Sequence, residues 1–310
     1  MNWVDLLLIS KLNYYYYKLL KDVLIIKIMT KSIILILILC FISLSLTDKI
    51  KQTSDKDKVQ LMNKLSGTNF KITEIIEKKK PVYTQGLIYV DNIDNPILYE
   101  SGGLYRESTL TKMKYPSLEV ISKQNLSNEL FAEGIALVDK KIYQLTWQER
   151  KVLKYDSESL EKLSEFTMPK ELEYGWGMSS YKNGIIATDG TNNIRFLDSN
   201  FKFLKNLAVK NNNNPLNYIN DLSYDGSYIY ANVYYSNNIY KIDEKSGEVI
   251  EVFDLKSLVD YELNEELLTY RNYRNGEVLN GISFISGKKF LITGKKWKYF
   301  YEVEFNWLLC

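Results

Sequence analysis

The chain has 310 residues, of which 45% are hydrophobic and 14% aromatic, and a formal net charge of +2. That length suits one large domain with accessory segments, and the near-balance of charge excludes a strongly polyanionic partner such as nucleic acid. There is no histidine, which removes Ser-His-Asp and Cys-His nucleophilic machinery in their usual forms and every zinc site that needs imidazole. Proton transfer near neutral pH then falls to a carboxylate, a lysine, a tyrosine or water.

Residues 1–28 carry mixed aliphatics and a tyrosine run at 14–17 rather than a short charged leader. Residues 32–46 (SIILILILCFISLSL) form an unbroken stretch of apolar or small residues. It is short for a membrane span and suits the core of a signal peptide, with an uncleaved signal anchor as the alternative. Lys27 and Lys31 flank its start, and Ser45 and Thr47 bracket Leu46 as at a cleavage site. Segment 1–47 is therefore read as an N-terminal extension with a signal peptide or anchor, with translation expected to begin at Met29. This predicts entry into the secretory pathway and contact with a membrane only through this segment. Cys40 lies in the apolar run and Cys310 ends the chain, so neither is placed to staple the main domain.

Residues 48–68 are rich in Lys and Asp and read as a polar stem. A strand over 70–76 follows, placed to close a ring by pairing with the last repeat. The lysines at 78–80 read as a solvated loop. Asn125-Leu126-Ser127 is a glycosylation sequon on a predicted loop.

Beyond about residue 65, β-branched and aromatic residues dominate in short runs separated by turns, which is an all-β pattern. One unit recurs five times, beginning at Gln85-Gly86-Leu87, Glu133-Gly134-Ile135, Trp176-Gly177-Met178, Asn220-Asp221-Leu222 and Asn280-Gly281-Ile282. The spacing, roughly 43 to 60 residues, is that of propeller blades. The second, third and fifth copies predict antiparallel hairpins: 134–138 with 142–147, 178–181 with 185–188, and 282–285 with 290–293, respectively. Further strands are expected at 152–155, 194–197, 239–242 and 299–304. The fold class is thus a five-bladed β-propeller over 69–305.

In an antiparallel hairpin the start of the first strand and the end of the second share one face of the ring. Gln85, Glu133, Trp176, Asn220 and Asn280 start first strands; Trp147, Asp189, Tyr234 and Lys295 sit near the ends of second strands. Both sets should converge on one mouth of the channel as a polar-floored, aromatic-walled pocket. The glycines after the strand starts read as structural, because the strands crowd the axis. Trp147 and Trp176 could equally be core between blades, and Asp189 reads as a turn residue. Glu133 is costly at a channel-facing position unless exposed or paired, which marks it for a role.

At these same residues the chain resembles the plant-type glutaminyl-peptide cyclotransferases. The matching segments are Tyr83-Thr84-Gln85-Gly86-Leu87, Glu100-Ser101-Gly102-Gly103-Leu104-Tyr105, Phe131-Ala132-Glu133-Gly134 and Tyr143-Gln144-Leu145-Thr146-Trp147. They continue with Gly175-Trp176-Gly177, Thr188-Asp189-Gly190-Thr191, Tyr230-Ala231-Asn232-Val233, Val278-Leu279-Asn280-Gly281-Ile282 and Thr293-Gly294-Lys295-Lys296-Trp297. The resemblance spans about 70–305 and implies a five-bladed propeller that cyclises an N-terminal glutamine of a peptide or protein to pyroglutamate, releasing ammonia. It implies Glu133 as the proton-transfer residue and Tyr83, Gln85, Phe131, Trp147, Trp176, Asn220, Tyr234 and Lys295 as the substrate pocket. Gln85, Asn220 and Lys295 are alike candidates to hold the amide oxygen. Tyr234 stands where the family usually has Trp, which puts substrate preference at that wall in question; Asp221 stands where Glu is common, within a motif otherwise kept.

The scheme needs no cofactor and leaves room for a structural cation in the channel. A monomer is expected. Two other classes compete: a non-catalytic propeller that binds a peptide or protein ligand, and a metal-dependent propeller hydrolase. The second needs several convergent carboxylates, and only Glu133 among the five strand starts is acidic.

Overall fold

The computed structural model describes Lys21 and residues 55–92, 95–264 and 276–306. The chain divides into two compact units, Met1–Gln60 and Leu61–Cys310. The expectations for 1–47, Lys21 apart, lie outside the described residues, as does Cys310.

The second unit is built from five four-stranded antiparallel sheets arranged as the blades of a propeller. The first blade runs Thr84–Val90, Ile97–Gly102, Thr109–Lys114 and Val120–Asn125; the second runs Ala132–Val138, Lys141–Thr146, Lys151–Asp156 and Lys162–Thr167. The third comprises Met178–Tyr181, Gly184–Ala187, Asn193–Leu197 and Phe203–Ala208; the fourth, Ile219–Tyr224, Tyr228–Val233, Asn238–Asp243 and Val249–Asp254. In the fifth, Leu279–Ser286, Lys289–Gly294 and Tyr299–Phe305 are joined on the outside by Phe70–Glu77 from the start of the domain. That strand runs antiparallel to the last one, from Phe70 opposite Phe305 to Glu77 opposite Tyr299. The ring is closed by the sequence-expected strand, and its hydrogen bonds cover an edge that would otherwise be exposed.

Burial falls from the axis outward and explains the sequence pattern. The first strand of the second blade, Ala132–Val138, is almost wholly buried, whereas its outermost strand, Lys162–Thr167, is nearly all exposed. First strands of successive blades touch one another around the ring, and Leu279–Ser286 meets Thr84–Val90 to complete it. Side chains interleave between blades, as where Phe253 stacks on Phe305 at 4.0 Å and Tyr230 lies against Phe290 at 4.3 Å.

Three local findings differ from the sequence reading. Residues 55–65, read as a stem, are helical, and Leu65 enters the core beside Phe70 and Leu258. A helix at Lys256–Asn264 lengthens the fourth repeat; its buried Glu262 accepts hydrogen bonds from Lys298 N, Tyr299 N and the Tyr301 hydroxyl. Lys78, read as part of a solvated loop, is buried: its ammonium lies 3.0 Å from Glu100, 3.1 Å from Thr84 Oγ1 and 4.1 Å from the Phe300 ring centre. The closing strand ends there, so the first residue after it packs between the first and fifth blades.

Candidate active site

Four of the five innermost strands lose regular register close to their starts. The irregularities fall between Thr84 and Gly86, Ala132 and Ile135, Ile219 and Leu222, and Leu279 and Ile282. They contain Gln85, Glu133-Gly134, Asn220-Asp221 and Asn280-Gly281, respectively. A β-bulge breaks the strict alternation of faces and re-aims a side chain, so polar residues are presented at the mouth while their neighbours stay in the core. In the third blade the equivalent place is Trp176-Gly177, just before Met178–Tyr181.

The glycines permit the approach this requires. A Cβ at Gly177 would lie 1.9 Å from Asn220 O, and one at Gly134 would lie 2.4 Å from Met178 N. Both obstacles are backbone of the next blade, so the structural reading of these glycines holds.

Tyr83, Gln85, Phe131, Glu133, Trp147, Trp176, Asn220, Tyr234 and Lys295 line one cavity of about 220 Å³. They come from two places in the hairpins. Tyr83, Gln85, Phe131, Glu133, Trp176 and Asn220 lie at or just before first strands, whereas Trp147, Tyr234 and Lys295 follow second strands. Trp147 and Trp176 are half-buried lining residues and not inter-blade core. The cavity is smaller than the roughly 300–1,000 Å³ of drug-sized sites, which suits a single amino-acid side chain.

Its wall is aromatic. Phe131 meets Tyr83, Tyr105 and Trp147 edge-on at 6.3, 5.3 and 5.6 Å. Trp176 meets Tyr234 at 5.8 Å, and Gly190 supplies the flat floor against which the Trp176 indole lies. Tyr234 therefore still provides an aromatic wall. The Lys295 ammonium sits 4.9 Å from the Tyr234 ring centre and 5.2 Å from that of Tyr83, within cation–π range. The turn that presents Lys295 is held by the fully buried Trp297, packed against Gly294.

The polar groups are strongly perturbed. Glu133 is 5% exposed, and burial pushes its carboxyl well above the usual carboxylate range. Lys295 opposes that shift, while Asp221 and Glu149 reinforce it. Burial lowers Lys295 to about 8 against the pull of Glu133 and Asp221. Asp221 was not among the pocket candidates; it is fully buried behind the cavity, accepts from Ile282 N at 3.0 Å, and is raised by burial to about 8. Gln85 Nε2 donates to Glu133 Oε1 at 3.2 Å. Titratable groups driven from their ordinary values toward neutrality, in a cleft, are what acid–base chemistry requires.

Asp189 does not join the mouth. Its carboxylate pairs with Arg195 at 2.7 Å and accepts from Thr191 Oγ1 at 2.6 Å, so the turn reading prevails. Asn280 does not line the cavity either; it stands behind Gln85 and donates to Gln85 Oε1 at 3.1 Å.

Four aromatics are exposed among the described residues: Tyr105, Tyr174, Tyr218 and Tyr235. Each neighbours a lining residue, in space or along the chain. Tyr105 packs on Phe131, Tyr174 lies two residues before Trp176, Tyr218 O accepts from Tyr234 N, and Tyr235 rests on Tyr234 at 4.3 Å. Tyr218 and Tyr235 hold φ of 64° and 62°, a left-handed conformation uncommon for bulky residues and enriched at functional sites.

Residues 40–305 match the family model described as glutamine cyclotransferase. The chain belongs to the glutamine cyclotransferase family. A glutaminyl-peptide cyclotransferase of Arabidopsis thaliana is 30% identical over 224 residues, covering 72% of this chain and 67% of the relative. The crystal structure of Myxococcus xanthus glutaminyl cyclase superposes with a TM-score of 0.66 at 25% identity, covering 76% of this chain and 96% of that one. As a cyclotransferase the protein is an enzyme, and its propeller resembles that of the solved bacterial cyclase.

Among the described residues, no cluster of three His, Cys, Asp or Glu groups could hold a metal ion, and no helix is long and apolar enough to cross a membrane.

Proposed function

We propose that the cavity takes the N-terminal glutamine of a peptide or protein and closes it to pyroglutamate, with Glu133 moving the proton. The observation that carries this is one buried carboxylate facing a buried lysine in a cavity sized for one side chain. The α-amine nitrogen attacks the side-chain amide carbon, a C–N bond forms, and the original amide C–N bond breaks. Glu133 accepts the proton lost by the attacking amine and returns it to the departing ammonia. Lys295, Gln85 and Asn220 are the groups able to hold the amide oxygen as charge develops there. The aromatic walls hold the side chain folded back on its own amine, which converts attack into a positioned intramolecular step.

The residues after the glutamine must leave through the mouth, across the four exposed tyrosines. Tyrosine offers a large rigid surface at little entropic cost, so peptides fit better than free glutamine. Secretory entry is part of the same proposal, supported by the apolar stretch 32–46 and by the exposed sequon residue Asn125, which ends a strand rather than lying in a loop. A mobility shift on deglycosylation tests it.

The test of activity is to incubate the purified chain with a short glutamine-initiated peptide. Ammonia release and a matching mass loss in the peptide are expected. Binding of the peptide without either result would instead favour a ligand-binding propeller.

A further inference from the structure

Around the ring runs a line of three side-chain amides, one each from the fourth, fifth and first blades, that ends on the Glu133 carboxyl group of the second. Asn232 of the fourth blade donates from Nδ2 to Asn280 Oδ1 of the fifth at 3.0 Å. Asn280 donates from Nδ2 to Gln85 Oε1 of the first at 3.1 Å. Gln85 donates from Nε2 to Glu133 Oε1 of the second at 3.2 Å. All four residues are buried, between 1% and 5% exposed.

The direction of this line is not a free choice. An amide can be turned end for end at little intrinsic cost, so its orientation must come from its partners. Here two backbone carbonyls, which can only accept, decide it. Asn232 Nδ2 also donates to Leu279 O at 3.0 Å, and Asn280 Nδ2 to Thr84 O at 2.9 Å. Turning either amide would set its oxygen against a carbonyl in a buried place, a costly mismatch. The Asn232 amide keeps this orientation even though its own Oδ1 meets no donor among the described residues. With Asn280 so fixed, Gln85 must point its oxygen back and its N–H forward.

We propose that Asn280, backed by Asn232, is a positioning residue that locks Gln85 as a hydrogen-bond donor to Glu133 and so holds Glu133 ready as a proton acceptor. This rests on the reading of Glu133 as the proton-transfer residue. A turned Gln85 would offer its oxygen, which only a protonated Glu133 could satisfy. The relay thus favours the carboxylate form, in the same sense as Lys295. The other groups that bear on Glu133 act against it or through their own titration: Asp221 of the fourth blade, Glu149 after the second strand of its own blade, and the hydroxyls of Tyr83, Tyr105 and Tyr234. None of them contacts Asn280 in the hydrogen-bond network.

The test substitutes Asn280→Leu, which removes the donor without adding charge. Glu133 is followed by carboxyl carbon NMR, its signal assigned by its loss in Glu133→Gln, so the measurement needs no turnover. The Glu133 midpoint should rise by about one pH unit, tenfold in proton affinity, the scale of one hydrogen bond to a charged group. In a Gln85→Met background Asn280→Leu should move the midpoint no further, because the effect travels through Gln85. If Asn280→Leu does not fold, Asn232→Leu should move the midpoint the same way by a smaller amount. A midpoint unchanged in the variant that folds, or a shift that persists without Gln85, overturns the relay. Absence of cyclisation by the unsubstituted protein would overturn the proposed activity and leave this measurement standing on its own.

Discussion

Replacing Glu133 by glutamine tests the proposed chemistry, because the substitution keeps the shape and removes the proton acceptor. The carboxylate sits in a cavity with one cation, Lys295, among its lining residues, and no second carboxylate lines that cavity to take over. Its loss should therefore remove the whole general acid–base contribution, about 10²–10⁴-fold in kcat, or roughly 3–5 kcal/mol of barrier. The fold should survive. Burial raises the folded-state pKa of Glu133 above its unfolded value. The stability this group contributes is fully present below the unfolded pKa and is lost as pH rises through the folded one. Above that window the ionised group is a liability that the amide removes. Lys295, without the carboxylate that holds its pKa up, should titrate below its present value of about 8 and shed its charge. Ammonia release and peptide mass follow turnover, and thermal unfolding follows the fold. In the unsubstituted enzyme activity should fall as pH drops through the raised Glu133 pKa; in Glu133→Gln that limb should vanish. Turnover within about tenfold of the parent, with the acid limb intact, would remove Glu133 from the role.

Three further outcomes are expected. If the Lys295 cation stabilises the reacting amide, kcat/KM should decline above about pH 8, where it deprotonates, and Lys295→Met should lose that decline along with most activity. Gly177→Ala should cost stability and activity together, since the new methyl would meet Asn220 O and Asp221 Cα at 1.9 and 2.6 Å; a variant with normal melting and turnover would show that the inner strands can part. Tyr174→Ser and Tyr218→Ser should raise KM for longer peptides several-fold and leave that for a minimal glutaminyl amide near the parent value, because these rings adjoin the mouth and do not line the cavity; equal effects on both substrates would refute the rim's part in binding.

Much of this molecule is legible in its sequence, for a physical reason. A propeller blade is a local object whose strands are neighbours in the chain, so the hairpins at 134–147 and 178–188 show as apolar runs with polar turns. The residues that line the cavity sit at a repeated place in that object, and the repeat carries them to one rim. The outer strands were less visible: Lys162–Thr167 and Val120–Asn125 are mostly exposed, so no core face imposes a pattern on them. The helix at Lys256–Asn264 was missed amid β-rich surroundings, although its Leu258 and Val259 are buried. Lys78 looked like solvated loop because its partner Glu100 lies 22 positions away.

Composition, repeat and motif were enough to name the all-β ring, its closing strand and the residues around its mouth, since each of these depends on spacing along the chain. Only the tertiary structure decided that Asp189 turns to Arg195, that Asp221 lies buried behind the cavity, and that Asn232, Asn280, Gln85 and Glu133 form a directed line. Those facts depend on which polar groups meet across blades after water has been excluded, and contacts between distant repeats leave no periodic trace in a single sequence.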